Sequence, residues 1–299
     1  MTRTYILLFI CVVVWGSNFI FGAILVNTFH PVLLTTFRLL FINLFFLAYA
    51  IMCKKDLYIE KNEMKSVLLI GVIGVAINQW SFYEGLQTAD PTTAALILAL
   101  TPVMTSILAV FILNEPLTAK LVIGGGIATF GVFFVIGVGQ RFVFSEGLIW
   151  IFITMLSFSL SIVLIRKLGN RDDMFLITFF SSIFGFLIML PFLTFTFSHI
   201  TLKYSIESWS LLIVTAILMH GICTLVWNNQ LRKAQASTAA MFLNLEPFVT
   251  MVVGYIILQK SVTAIQIIGA VFIVCGVYIA TFGYGKKSRG QKVLFRKAT

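Results

Sequence analysis

The sequence predicts an all-α integral membrane protein of ten transmembrane helices, built as two five-helix repeats of opposite topology. Three observations predict it: an extreme apolar composition, a one-sided distribution of Lys and Arg, and an internal repeat at an offset of 145 residues.

Of the 299 residues, 60% are hydrophobic and 11% charged, whereas soluble domains run at about 45–50% apolar and about 25% charged. A water-soluble domain of this size still needs a polar surface, and this chain cannot supply one. Its 30 phenylalanines and 6 prolines equally exclude a disordered or fibrous chain. Cys11, Cys53, Cys223 and Cys275 lie inside or at the ends of apolar runs, and none forms a CxxC pair. They read as small apolar residues rather than as disulfide partners or metal ligands. The first apolar run follows Arg3 but contains Trp15-Gly16-Ser17-Asn18 and no small-x-small cleavage site. It is expected to remain as a helix rather than be removed as a signal peptide.

A spanning helix needs about 20 mostly apolar residues. Polar breaks leave ten such runs, near 5–26, 31–53, 65–86, 91–113, 120–139, 147–168, 174–197, 209–231, 236–258 and 263–284. Pro31, Pro91 and Pro116 stand at their boundaries, as expected of helix starts and stops.

The basic residues then orient the chain. One face collects Arg3, Lys54, Lys55, Lys61, Lys65, Lys120, Arg166, Lys167, Arg171, Arg232 and Lys233, together with Lys286, Lys287, Arg289, Lys292, Arg296 and Lys297 of the tail. The opposite face holds Arg141, Lys203 and Lys260, and Arg38 lies within a helix. Such asymmetry predicts a multi-pass protein of the cell membrane with both termini cytoplasmic. A miscounted helix would invert every later loop and erase it. The net charge of +10 therefore needs no nucleic-acid partner; the partners expected are the lipid bilayer and a small-molecule substrate.

The repeat aligns Leu86–Pro102 with Leu231–Pro247 without a gap, matching Thr93-Ala94-Ala95 to Thr238-Ala239-Ala240. It continues through Thr105/Thr250, Ile112-Leu113/Ile257-Leu258, Ile123-Gly124/Ile268-Gly269 and Gly131-Val132/Gly276-Val277. Residues 1–142 and 147–284 are thus expected to be two copies of one five-helix unit, with 285–299 a basic cytoplasmic tail. An odd number of helices forces the second copy into the membrane upside down. Inverted repeats of this kind give two exchangeable conformations around a midplane site, and alternating access follows.

Several runs resemble a known family. Trp15-Gly16-Ser17-Asn18-Phe19, Phe37-Arg38, Gly85-Leu86, Thr93-Ala94-Ala95, Thr101-Pro102 and Leu113-Asn114-Glu115-Pro116-Leu117-Thr118 are similar to the EamA-type branch of the drug/metabolite transporter superfamily. So are Gly124 through Gly131 and, in the second half, Ser237-Thr238-Ala239-Ala240, Leu245-Glu246-Pro247 and Gly269 through Gly276. The resemblance covers nearly the whole chain and implies a ten-helix metabolite transporter, often an exporter of amino acids or related compounds. Lys260-Ser261 stands where the first half has Glu115-Pro116, so a paired loop glutamate is not implied.

Polar groups inside a bilayer are costly unless paired or wetted, so their positions mark a pathway. Arg38 is either a structural clamp, on an ion pair or carbonyls, or a cation for a substrate or gating carboxylate. Glu246, midway along the ninth span, carries a proton, faces a substrate amino group, is neutralised by a partner such as Arg38, or makes a buried hydrogen bond to another helix. Pro102 and Pro247 remove a backbone donor at equivalent depths, marking kinks or flexible points and freeing carbonyls. Asn78 and Gln79, beside Trp80 and Tyr83, and His220, Trp227 and Asn228 combine amides with aromatics, which suits either a small-solute cavity or an interface belt. Glu84, at the end of the third span, sits either in that cavity or in water. Ser17 and Asn18 in the first span match Ser157, Ser159 and Ser161 in the sixth, positions suited to helix packing. Trp15 stands beside them. Gly124-Gly125-Gly126 reads as close helix contact, since no strand and no Lys-Ser/Thr accompany it.

His30, His199 and His220 are isolated, and no nucleophile–base set, metal cluster or ATP-binding motif is present in the sequence. No enzyme activity, cofactor or metal is expected. The expected function is secondary active transport of a small polar metabolite, amino-acid-like and outward. Its substrate-binding candidates are Trp15, Asn18, Arg38, Asn78, Gln79, His220, Trp227 and Asn228, with Glu246 the proton-coupling candidate. The alternatives are an exchanger of other metabolites or drugs, and a passive channel. A nucleotide-sugar or phosphate-ester exchanger fits less well, because Arg38 is the one deep cation. The protein could work as a monomer or a homodimer.

Overall fold

Helix starts follow local chemistry. In the computed structural model, which describes residues 2–114, 118–137, 145–168, 174–197, 205–231 and 243–281, α1 runs Thr2–Val26 and α2 Pro31–Met52. Pro31 occupies the first turn of α2, where a backbone N–H would lack a partner anyway, and His30 Nδ1 accepts from the Val32 amide at 3.3 Å. Asp90 opens α5 (Pro91–Leu98) similarly, its Oδ1 accepting from the Thr92 and Thr93 amides at 3.0 and 3.1 Å.

The third and eighth predicted spans are each continuous but wound more widely at the centre. The third consists of α3 (Lys61–Leu69), a π-helical stretch Ile70–Ile77, and α4 (Asn78–Thr88). The eighth consists of α10 (Ile206–Thr215), a second π stretch Ala216–Ile222, and α11 (Cys223–Leu231). Gly71 and Ala216, at the starts of these stretches, are related by the repeat offset, so the unusual winding is itself duplicated. Such stretches are rare and concentrate at functional sites.

The fourth span is broken. The chain turns at Ala99–Leu100 before α6 (Thr101–Leu113), and Pro102 sits in the first turn of the new helix rather than inside a continuous one. Its repeat partner Pro247 occupies the same place in α12 (Glu246–Leu258). Both helices end on a left-handed residue, Asn114 at φ 54° and Gln259 at φ 53°, again related by the offset.

The remaining helices are α7 (Ala119–Gly137), α8 (Glu146–Lys167), α9 (Met174–Phe197) and α13 (Ala264–Thr281). α7 and α13 pack along one another. A Cβ on Gly131 would come 2.9 Å from Gly269 O, and one on Gly276 would come 2.5 Å from Gly124 O. These four glycines are two repeat pairs, so the contact is reciprocal. The π stretch after α3 crosses to α8 and α9 of the second half, while that after α10 crosses to α1 and α2 of the first.

Among the described residues, seven helical segments are long and apolar enough to cross a membrane: Arg3–Val26, Pro31–Met52, Glu63–Thr88, Pro91–Leu113, Glu146–Lys167, Met174–Thr196 and Ile206–Trp227. Shorter apolar helices at Val122–Val132, Glu246–Leu258 and Ala264–Ile279 fall where the fifth, ninth and tenth spans were expected. Large apolar side chains such as Phe111, Phe195 and Ile256 point outward, as a lipid solvent permits. The expected tail 285–299, the loop at Glu115-Pro116, and His199 lie outside the described residues.

Candidate functional site

Arg38 lies two turns into α2 and is fully enclosed, at 0% exposure. A guanidinium can only donate. It donates to the Thr215 hydroxyl, to Thr215 O at 3.4 Å and to Asn18 Oδ1 at 3.5 Å. It also stands 2.9 Å from His220 Nδ1, which must therefore accept, making this imidazole neutral. The Tyr83 ring covers the guanidinium carbon at 5.4 Å, within cation–π range. Helices α1, α2 and α4 of the first half thus meet α10 and the second π stretch around one charge. Among the described residues no carboxylate forms an ion pair with it.

Trp15 lies one turn before Asn18 on the same face of α1. Its indole Nε1 donates to Met219 O at 2.6 Å, and its ring meets Trp227 at 4.9 Å with a 51° tilt. The wide winding explains the acceptor. The Cys223 amide bonds Leu218 O, five residues back, so it does not take the Met219 carbonyl that Trp15 reaches.

Asn78, the first residue of α4, turns to α8 instead. Its Nδ2 donates to Thr154 O at 3.0 Å and Ser157 Oγ at 3.2 Å, and Ser81 and Thr154 share a 2.8 Å hydroxyl bond nearby. Asn78 corresponds by the offset to Cys223, and the matching crossing joins α11 to α1. There, Cys223 Sγ lies 3.5 Å from Cys11 O and Cys11 Sγ lies 3.6 Å from Cys223 O. One crossing is amide and hydroxyl, the other thiol. All four cysteines are free, with Cys53 and Cys275 exposed.

Gln79 is buried one turn before Tyr83, on the face of α4 that reaches Arg38, and its Oε1 has no partner. Glu84 accepts from Trp80 Nε1 at 2.9 Å. Glu246 opens α12 next to α1, where a Cβ on Gly16 would come 3.0 Å from its carbonyl. It does not pair with Arg38. Ser159 reaches Thr101 O at 3.3 Å and Ser161 packs on Gly74, while Ser17 bonds back to Val13 O at 2.7 Å. The side chain of Asn228 lies outside the described residues.

The structure therefore brings Trp15, Asn18, Arg38, His220 and Trp227 together, with Gln79 on an adjoining face and Asn78 in a separate contact. Thr215 was not singled out in the sequence, and Tyr83 only as an aromatic neighbour. Tyr83 was findable by its i+4 spacing from Gln79, whereas a single hydroxyl in an apolar helix gives Thr215 no such signal.

The model of the EamA-like transporter family matches the chain twice, over residues 2–137 and 145–282. Relatives include two proteins of Bacillus subtilis (strain 168) named as uncharacterized transporters. YyaM is 29% identical over 233 residues, 76% of this chain and 76% of its own. YoaV is 23% identical over 283 residues, 92% of this chain and 95% of its own. A crystal structure of a protein 15% identical superimposes with a TM-score of 0.68 over 96% of this chain and 99% of that one, which establishes likeness of fold. With the duplicated match spanning both halves, the chain belongs to the EamA-like transporter family.

Proposed function

We propose that this transporter is a secondary active carrier that exports small polar metabolites, amino acids foremost, by alternating access. The observation that carries the reading is the position of Arg38: a fully enclosed cation on α2 of the first half, held by Thr215 and His220 of the second. A polar junction between halves is where rocking would open and close a path. Trp15, Asn18, Arg38, Gln79, His220 and Trp227 would form the solute site, with Asn78 and Asn228 beside it.

In this reading the chain has ten spans in a 5 + 5 inverted arrangement, in units 1–142 and 147–284, with both termini and the tail 285–299 on the cytoplasmic side of the cell membrane. The duplicated π stretches and the matching positions of Pro102 and Pro247 in the first turns of α6 and α12 support it, since both halves carry the same irregular points. Glu246 would couple transport to protons.

Counterflow with purified protein in liposomes, using a radiolabelled amino-acid mixture at two pH values, tests the reading. Accumulation that one unlabelled amino acid competes away is expected. If folded protein accumulates none, amino acids are removed and the screen moves to other metabolites and drugs. Large passive currents in electrical recordings would instead favour a channel.

A further inference from the structure

The polar junction has more donors than it can use. Every partner of the Arg38 guanidinium is neutral: the Thr215 hydroxyl and carbonyl, the Asn18 amide oxygen and the His220 ring nitrogen. Arg38 Nε has no hydrogen-bond partner at all, and Tyr83 Oη on the helix facing it makes no well-formed hydrogen bond, with the Asn18 side chain beside it. Both side chains are 0% exposed, and the adjacent Gln79 Oε1 is also unpartnered. A half-turn of that amide would present a donor there as well. A buried charge without a counter-ion is unfavourable, and an unused Nε–H with a poorly bonded phenol beside it adds to the deficit.

We infer that Arg38, with Tyr83 and Gln79, is the binding site for a solute carboxylate, and that Thr215 and Asn18 hold its place in the closed state. The inference rests on the transport reading above and names the chemical group that the carrier requires. A carboxylate matches the guanidinium fork with two parallel bonds and one compensating charge. A phosphate monoester would bring nearly two negative charges to a site with one cation.

The placeholder bonds also couple binding to movement. Thr215 is the last residue before the second π stretch, and His220 lies within it. Because the guanidinium is wholly covered, a solute reaches it only when that stretch moves aside. The solute then takes over the bonds that tied α10 to α2.

The test is ligand-dependent thermal stabilisation of the purified full-length protein, run beside counterflow. The probes are free amino acids and small monocarboxylic acids, the methyl esters of both, and the amines left by decarboxylation. Stabilisation confined to free carboxylates is expected, with at least a tenfold loss of apparent affinity in Arg38→Gln and partial recovery in Arg38→Lys. Should Arg38→Gln fail to fold, Thr215→Val still decides. It keeps the charge and removes a competing acceptor, so carboxylate affinity should rise several-fold, whereas a purely structural Arg38–Thr215 bond predicts no gain. Equal stabilisation by esters or amines, no stabilisation by any carboxylate, or unchanged affinity in both Arg38→Gln and Thr215→Val overturns the inference. Carboxylate-specific stabilisation without counterflow would leave the binding site standing and remove the carrier.

Discussion

Lys260 and Asp90 form an ion pair that joins the end of α12 to the start of α5, and so ties the second half of the chain to the first. Asp90 does two things at once: Oδ2 meets Lys260, while Oδ1 caps the α5 amides. Lys260 stands one residue beyond the left-handed Gln259, where the first copy of the repeat has Glu115.

Separating these roles gives an ordered series. The pair is solvent-exposed, so Lys260→Ala should cost about 0–1 kcal/mol. Asp90→Asn keeps a capping oxygen and should match it. Asp90→Ala loses the cap too, adding about 1 kcal/mol. Thermal melting in detergent should rank Asp90→Ala below the other two, and equal melting of all three would remove the cap from the account.

The α7–α13 contact predicts opposite outcomes for two glycines. A Cβ at Gly276 falls 2.5 Å from the Gly124 carbonyl, which is backbone and cannot step aside. Gly276→Ala should therefore destabilise by about 1–3 kcal/mol. Gly126 has nothing within 4 Å of the equivalent point, so Gly126→Ala should be neutral or gain up to about 1 kcal/mol from helix propensity. Melting temperatures that fall equally would show that the glycines matter for something other than close approach.

Glu246 has no ion pair among the described residues. If it carries the coupling proton, Glu246→Gln should abolish the pH dependence of counterflow while leaving the melting temperature near that of the parent. Uptake that keeps its pH profile in the variant removes Glu246 from the mechanism.

The reciprocal contact of Cys11 and Cys223 offers a direct probe of rocking. In a variant with Cys53 and Cys275 replaced by Ser, copper–phenanthroline should oxidise the two remaining thiols to a disulfide joining α1 and α11. Crosslinked protein should lose counterflow and regain it on reduction by dithiothreitol. Full transport by protein proven to be crosslinked would mean that these helices stay together throughout the cycle.

Much of the architecture was legible because it depends on local chemistry. Pro31 and Pro91 start helices through a fixed φ and a missing N–H, and the apolar runs mark spans because lipid excludes unpaired backbone. The glycine run 124–126 was readable as close contact, and Gly124 does meet Gly276 of α13, whereas Gly126 has nothing within 4 Å. The repeat offset carried further than expected, since it relates Asn114 to Gln259 and one π stretch to the other.

The interior arrangement was not legible, for a reason particular to membranes. Lipid-facing and core-facing positions are both apolar, so the periodicity that orients a helix in water is nearly absent here. Nothing in the chain marks Thr215 as the partner of Arg38, 177 residues away, or turns Asn78 toward α8 while Tyr83 faces the guanidinium. By itself the sequence determined the membrane class, the duplication and the cation inside the second apolar run, since each follows from composition or spacing. Only the tertiary structure decided which neutral groups surround Arg38, because that depends on how two π-wound helices cross between the halves.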